Sequence, residues 1–296
     1  MVVSPSIRYL YRYFVRHRVF RALVIIFVIW NAVEVLQIHL RLSRSNSTDE
    51  RLPRGTDRIY IASLHWNNEA ILRSHWNNAV IELANALGPE NIFISIYESG
   101  SWDNSKGALI ELDEELGRLG VPRNITLSET THLDEISSRP TSRGWIETPR
   151  GRKELRRIPY LARLRNLTLR PLEDLLKQGK TFDKILFLND VAFTVWTISL
   201  FLPRFFLICV KGHTNDCLKT SDVIKLLNTN NGVYAAACSL DFSKPPLYYD
   251  TFALRDSEGH EHVMQTWPFF RSANSREAMK TLSPVPVASC WNGMGT

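Results

Sequence analysis

Two aspartates stand directly behind short apolar runs. Asp190 follows 182–188 (FDKILFL) after Asn189, and Asp241 follows 232–240 (GVYAAACSL). In an open α/β sheet, ligands bind beyond the carboxyl ends of the strands, so a carboxylate at that place meets whatever the sheet holds. Its hard oxygens suit a divalent cation, which can bridge the two phosphates of a nucleotide-linked substrate. A strand-end aspartate serves equally well as a cap for the segment that follows, and residue type alone leaves both roles open.

Other polar groups fall at comparable places. His65, Trp66, Asn67 and Asn68 follow one apolar run, and Tyr97, Glu98 and Trp102 follow another. Amides and aromatic faces there suit a base and ribose, as they suit ordinary loop packing. The helical segment that precedes 182–188 carries Arg163, Arg165 and Asn166. A guanidinium forks onto phosphate oxygens, although a solvated basic face has the same composition. The last third holds Tyr248, Tyr249, Asp250, Arg255, Asp256, Glu258, His260, His262, Gln265, Trp267, Trp291 and Asn292. A pyranose offers C–H faces and hydroxyls, which such a set of rings, carboxylates and amides can hold. Of these, Tyr249, Arg255, Trp267, Trp291 and Asn292 are the expected sugar contacts. His262, two residues from His260, is a candidate metal ligand, and also an ordinary surface histidine.

The elements that must carry these residues can be read from periodicity. Strand-like runs occur at 58–64 (RIYIASL), 91–97 (NIFISIY), 124–127, 182–188 and 232–240. Helical spacing occurs at 68–87, closed by Gly88-Pro89, at 106–119, closed by Gly120, and at 158–176, where Pro171 marks a kink or restart. Residues 139–157, rich in Arg, Pro, Gly and Ser, read as a loop. Alternating strands and helices predict an α/β fold with a mostly parallel central sheet and helices on its faces.

A chain of 296 residues with 44% hydrophobic and 22% charged content is long enough for a sizeable core and excludes collagen, coiled coil and wholesale disorder. Four cysteines without a CxxC pair exclude a zinc ribbon or redox dithiol and allow one or two bridges. The net charge of +6 does not indicate nucleic acid. Arg8, Arg12, Arg16, Arg18 and Arg21 supply nearly all the excess, and the rest of the chain is close to neutral. Those arginines precede an apolar run, so 1–19 reads as a cytoplasmic tail, 20–40 as a single transmembrane anchor of a type II protein, and 41–57 as a polar stem. An amphipathic surface helix is the competing reading of 20–40. With the anchor, residues 58–296 would face the lumen, where the Asn-x-Ser/Thr triplets at Asn46, Asn124 and Asn166 are compatible.

Three segments carry a resemblance: FLNDVAFT (187–194), AAACSLDFSKPPLYYDTFALRDSEGHEHVMQTWPFF (235–270) and VASCWNGM (287–294). With them, the stretch from about 58 to 294 resembles the fungal capsule-associated glycosyltransferases of family 69, the family of the cryptococcal α-1,3-mannosyltransferase. The resemblance implies a GT-A-like glycosyltransferase domain behind an N-terminal membrane helix, a Golgi location, GDP-mannose as donor, a divalent metal such as Mn2+, and an α-1,3-linked product on a glycan acceptor. Asn189-Asp190 then stands where such folds place an Asp-x-Asp-like element, giving Asp190 the metal and diphosphate role. His65, Asn67, Glu98, Arg163, Arg165, Asn166 and Asn189 become candidates for the nucleotide.

An α-linked product from an α-linked donor retains configuration, either through a carboxylate nucleophile or by same-face attack, in which the leaving phosphate takes the acceptor proton. Asp241 and Asp250 are the candidate nucleophile or sugar-positioning residues for either route. Against the resembling proteins, 195–219 is an additional insert that reads as translated intron, and the chain stops at Thr296 where they continue, so a truncated carboxyl terminus is expected. A non-catalytic carbohydrate-binding or scaffold protein of the same fold, an inactive gene-model product and a glycoside hydrolase with two facing carboxylates are the alternatives.

Overall fold

A computed structural model describes residues 18–48, 57–131, 134, 144–149, 151, 153–188, 220–239, 242–244, 247–248, 253–266, 268–281, 283–290 and 294–296. The chain divides into two units, Met1–Glu50 and Arg51–Thr296. In the first, Arg18–Thr48 forms one helix, α1. It runs into the segment expected as a stem because the first helix breakers, Pro53 and Gly55, come later. Large apolar side chains from Leu23 to Trp30 are exposed around the whole helix. Among the described residues no helix is long and apolar enough to cross a membrane, so the spanning helix expected over 20–40 is not supported. The physical reason is polarity: the unbroken apolar run that starts at Ala22 ends at Asn31, and Glu34, Gln37 and His39 follow within the next turns.

The second unit is built on β1 (Ile59–His65), whose residues are buried on both faces except at Leu64. Such a strand belongs in the middle of a sheet covered on two sides. Short helix α2 (Glu69–Ile71), a π-helical turn (Leu72–Trp76) and α3 (Asn77–Leu87) lead to β2 (Ile92–Glu98). Gly88, at φ +88°, supplies the left-handed backbone that ends α3. α4 (Ser105–Arg118) leads to β3 (Arg123–Leu127), and a β4 (Trp145–Glu147)–β5 (Lys153–Leu155) hairpin precedes α5 (Arg157–Lys177). That hairpin lies in the stretch expected as a loop. α5 passes through Pro171 and delivers β6 (Lys184–Leu188).

β1, β2, β3 and β6 are parallel, and β11 (Met294–Gly295) adds an antiparallel edge to give the order β11-β6-β1-β2-β3. One face packs Ile59, Ile61, Ile94, Ile96, Leu186 and Leu188 against α3, α4 and α6 (Thr220–Leu227). The other packs Tyr60 and Ala62 against Leu175 of α5. There the Tyr60 ring stacks on Phe93 at 5.4 Å, and its hydroxyl donates to the Thr168 carbonyl at 2.7 Å. Truncating a fully buried residue such as Leu83 would cost about 2–5 kcal/mol.

The strand expected over 232–240 does not form. The turn before it carries Asn230, Asn231 and Gly232 at positive φ, and the place beside β6 is taken by β11. What remains is one bridge, Cys238 to Gly295. Short strands β7 (Phe242–Lys244) and β8 (Leu247–Tyr248) pair with each other, as β9 (Arg255–Asp256) does with β10 (Val287–Ser289), and α7 (Ala273–Lys280) lies between these last two in sequence.

Around Leu254, Phe269 and Phe270 the last third has its own small core. Asp256 organises it. Its buried carboxylate accepts the N–H groups of Glu258 at 3.0 Å, His260 at 2.9 Å and Ser272 at 2.6 Å. Burial alone would raise this carboxyl's pKa, but the three N–H bonds together with nearby His260 hold it below the ordinary 3.8. A depressed carboxyl stabilises the fold fully above its unfolded value, and that contribution disappears as pH falls through the folded one. Asp256→Asn is expected to destabilise by about 1–3 kcal/mol and to remove this part of the acid limb. Urea midpoints across the acid range check both outcomes.

Candidate functional site

Strand order and crossover sides locate a crevice. From β1 the chain moves to β2 and β3 over the face covered by α3 and α4, then returns under α5 to place β6 on the other side of β1. The reversal falls between β1 and β6, and a doubly wound sheet binds ligands outside the carboxyl ends at that switch point. The ladders agree. β1 and β6 pair only as far as Ala62↔Phe187, whereas β1 and β2 stay paired to His65↔Glu98.

Below the crevice a buried polar chain replaces the missing ladder. The Ser63 hydroxyl donates to the Leu188 carbonyl at 2.5 Å and lies 2.8 Å from His65 Nε2. Because the single hydroxyl proton is committed to Leu188, Nε2 carries the imidazole proton and donates it to Ser63. Nδ1 is then the acceptor, with Asn68 Nδ2 3.5 Å away. The ring is 1% exposed and meets Trp76 edge-on at 4.4 Å. Burial pushes its pKa down to about 3, so it stays neutral. His65, expected to touch the nucleotide, thus turns its ring nitrogens to the side chains of Ser63 and Asn68, and only through Ser63 does it bear on the backbone just before Asn189-Asp190.

The rim is tied across β1 and β2. Asn67, at φ +52°, donates its N–H to Ser101 Oγ and accepts the Trp102 N–H at its side-chain oxygen, both at 2.8 Å. This turn sets Trp66 against Trp102, edge to face at 5.6 Å, with both rings open to solvent at 43% and 66%. Glu98 is fully buried. Its Oε1 accepts the Ser101 N–H at 2.5 Å, and its Oε2 has no hydrogen-bond partner among the described residues. α5 approaches the same rim at its amino end, where Tyr160 Oη lies 3.4 Å from Ser99 Oγ and the Arg163 guanidinium sits 5.7 Å from the Tyr160 ring centre. Arg165 and Asn166 follow on α5, half-buried and exposed respectively.

The carboxyl-terminal motifs reach β6 from its other side. β11 pairs Met294 with Leu188 and Gly295 with Phe187, the Cys238–Cys290 disulfide joins the two later motif segments, and Ala237 exchanges backbone hydrogen bonds with Thr296. Asp190 and Asn292 are therefore each two residues from a paired position. Asn189, Asp190, Asp241, Tyr249, Asp250, Trp267, Trp291 and Asn292 themselves lie outside the described residues. Arg255 is placed in β9, where it pairs with Glu261 at 3.3 Å. His262 has a buried Nδ1 without a hydrogen-bond partner, and no group of three or more His, Cys, Asp or Glu that could hold a metal occurs among the described residues.

Ser63, Tyr160 and the disulfide were missed by sequence reasoning. Ser63 was findable: with His65 it puts polar residues two apart on one face of an otherwise apolar buried strand, and such groups need partners. The cysteine pairing had no such signal, because the two are 52 residues apart and their approach depends on β11.

The family model described as cryptococcal mannosyltransferase 1 matches residues 58–202 and 213–296. The unmatched 203–212 fall inside the stretch expected as an insert. No curated protein and no solved structure matches the chain.

Two outcomes follow from this geometry. Between about pH 6.5 and 3 the unfolded chain binds a proton at position 65 that the folded chain refuses, so stability falls as pH drops through that window. The loss is at most about 1.4 kcal/mol per pH unit, and His65→Gln, which keeps a donor, is expected to flatten it in denaturant titrations. Replacing Cys238 and Cys290 by serine is expected to cost about 2–5 kcal/mol, read as a lower thermal midpoint.

Proposed function

Because the chain belongs to the cryptococcal mannosyltransferase 1 family, we propose that it transfers mannose from GDP-mannose to a glycan acceptor, forming an α-1,3 linkage with retention. The observation that carries this reading is convergence. Segments of all three family-like motifs meet at the β6–β11 pair, beside the switch point where a doubly wound sheet binds its ligands.

In this reading Asp190, with Asn189, holds the donor's diphosphate end through a divalent cation such as Mn2+. The oxygen donors of this pair are chemically suited to a hard cation. A cation there would supply charge neutralisation for the leaving diphosphate. Arg163 and Arg165 add positive charge from α5 at the same rim. Asn67 shapes the Trp66–Trp102 turn that the base or ribose would meet, and His65 acts from beneath, keeping the end of β6 in place. Asp241 and Asp250 are assigned to orienting the mannose or attacking its anomeric carbon. Tyr249, Arg255, Trp267, Trp291 and Asn292 are assigned to the acceptor.

Residence in the Golgi lumen belongs to the same proposal. Its support is the Cys238–Cys290 bridge, since disulfides persist in oxidising compartments. Attachment of α1 to a membrane surface is supported by the exposed apolar side chains of α1 and the arginines between positions 8 and 21.

Full-length protein in detergent, given radiolabelled sugar nucleotides with Mn2+, is expected to transfer label only from GDP-mannose. Asp190→Ala is expected to lower turnover by about 100-fold or more, the scale of losing a charge-stabilising group. Undiminished transfer by Asp190→Ala, or transfer only from another donor, would overturn the assignment.

A further inference from the structure

Of the three Asn-x-Ser/Thr triplets, one differs from the others in its surroundings. Asn124 and Thr126 lie on the same face of β3, both exposed, with the Thr126 hydroxyl donating to Asn124 Oδ1 at 3.0 Å. Among the described residues β3 pairs only with β2. Beside these two side chains a cavity of about 470 Å³, lined also by Tyr97, Arg170 and Asp174, leaves room for a bulky substituent.

The other triplets are helical. Asn166 is exposed on α5, but Thr168 is 1% exposed, its hydroxyl donates to the Arg165 carbonyl at 2.7 Å and its carbonyl accepts the buried Tyr60 hydroxyl. Asn46-Ser47-Thr48 is the last turn of α1. Helices of this length form from local contacts within about a microsecond, whereas a strand gains its partner only through non-local pairing. The Asn124 triplet is therefore not closed by local structure before β2 pairs with it.

We propose that Asn124 is an N-glycosylation site, and that it is the one of the three that carries a glycan. The inference rests on the luminal placement proposed above. The step joins Asn124 Nδ2 to the anomeric carbon of a polyprenyl-diphosphate-linked oligosaccharide. The C–O bond to the diphosphate breaks, the diphosphate leaves with the electron pair, and the amide nitrogen gives up one proton. The product has a physical consequence for the fold. A glycan on the exposed face of β3 stands beside the strand that ends the described sheet, and its bulk would hinder another chain from pairing there.

The test uses the full chain expressed in a eukaryotic secretory host and treated with peptide N-glycosidase. Wild type, N46Q, N166Q and Thr126→Ser are expected to show one enzyme-dependent mobility shift, and Asn124→Gln and Thr126→Ala none. A shift that survives in Asn124→Gln, or a wild type without one, overturns the proposal. Thiol alkylation under non-reducing conditions separates it from its premise. An intact Cys238–Cys290 bridge on an unglycosylated chain sinks the glycan assignment alone, whereas free thiols at both positions remove the luminal placement as well.

Discussion

The carboxyl end of β6 is held from two sides by interactions of different kinds. On the β1 side the Ser63 hydroxyl takes over the Leu188 carbonyl where the strand ladder has stopped, and His65 fixes that hydroxyl in turn. A buried carbonyl left without this donor would cost about 1–3 kcal/mol. On the other side β11 pairs with Phe187 and Leu188, anchored through the 237–238 segment and the Cys238–Cys290 bridge. The strand's last residue, Leu188, is thereby held from both sides.

This arrangement reconciles two demands. A crevice at a switch point exists only because β1 and β6 separate, which strips polar groups of their ladder partners. Filling those vacancies with Ser63 and a neutral His65 keeps the opening dry below and polar above. The rim is then free to differ in character: two solvent-facing tryptophans, the buried Glu98 carboxylate and the amino end of α5 with Arg163 surround it. For a member of a mannosyltransferase family, such a mixed rim offers both polar and aromatic groups to a sugar substrate.

Much of the sheet was legible in the sequence because its strands are buried on both faces, so 58–64, 91–97 and 182–188 stand out as apolar runs bounded by Gly, Pro or polar residues. Helical periodicity located the elements between them equally well. Legibility failed where tertiary competition decided. The run at 232–240 has strand composition, but the place beside β6 went to two residues near the end of the chain, which no local pattern announces. At 20–40 the apolar content was real, but the polar interruptions from Asn31 onward weigh against spanning. For the site, residue type put His65 among the nucleotide candidates, and spacing alone does not reveal that its ring nitrogens face Ser63 and Asn68.

The most direct measurement is a crystal structure of the protein with GDP and Mn2+. The account predicts the cation and diphosphate against Asp190 at the tip of β6, with the nucleoside reaching toward Trp66 and Trp102 and the Ser63–Leu188 hydrogen bond intact. A nucleotide ordered elsewhere, with Asp190 touching neither cation nor phosphate, would contradict it.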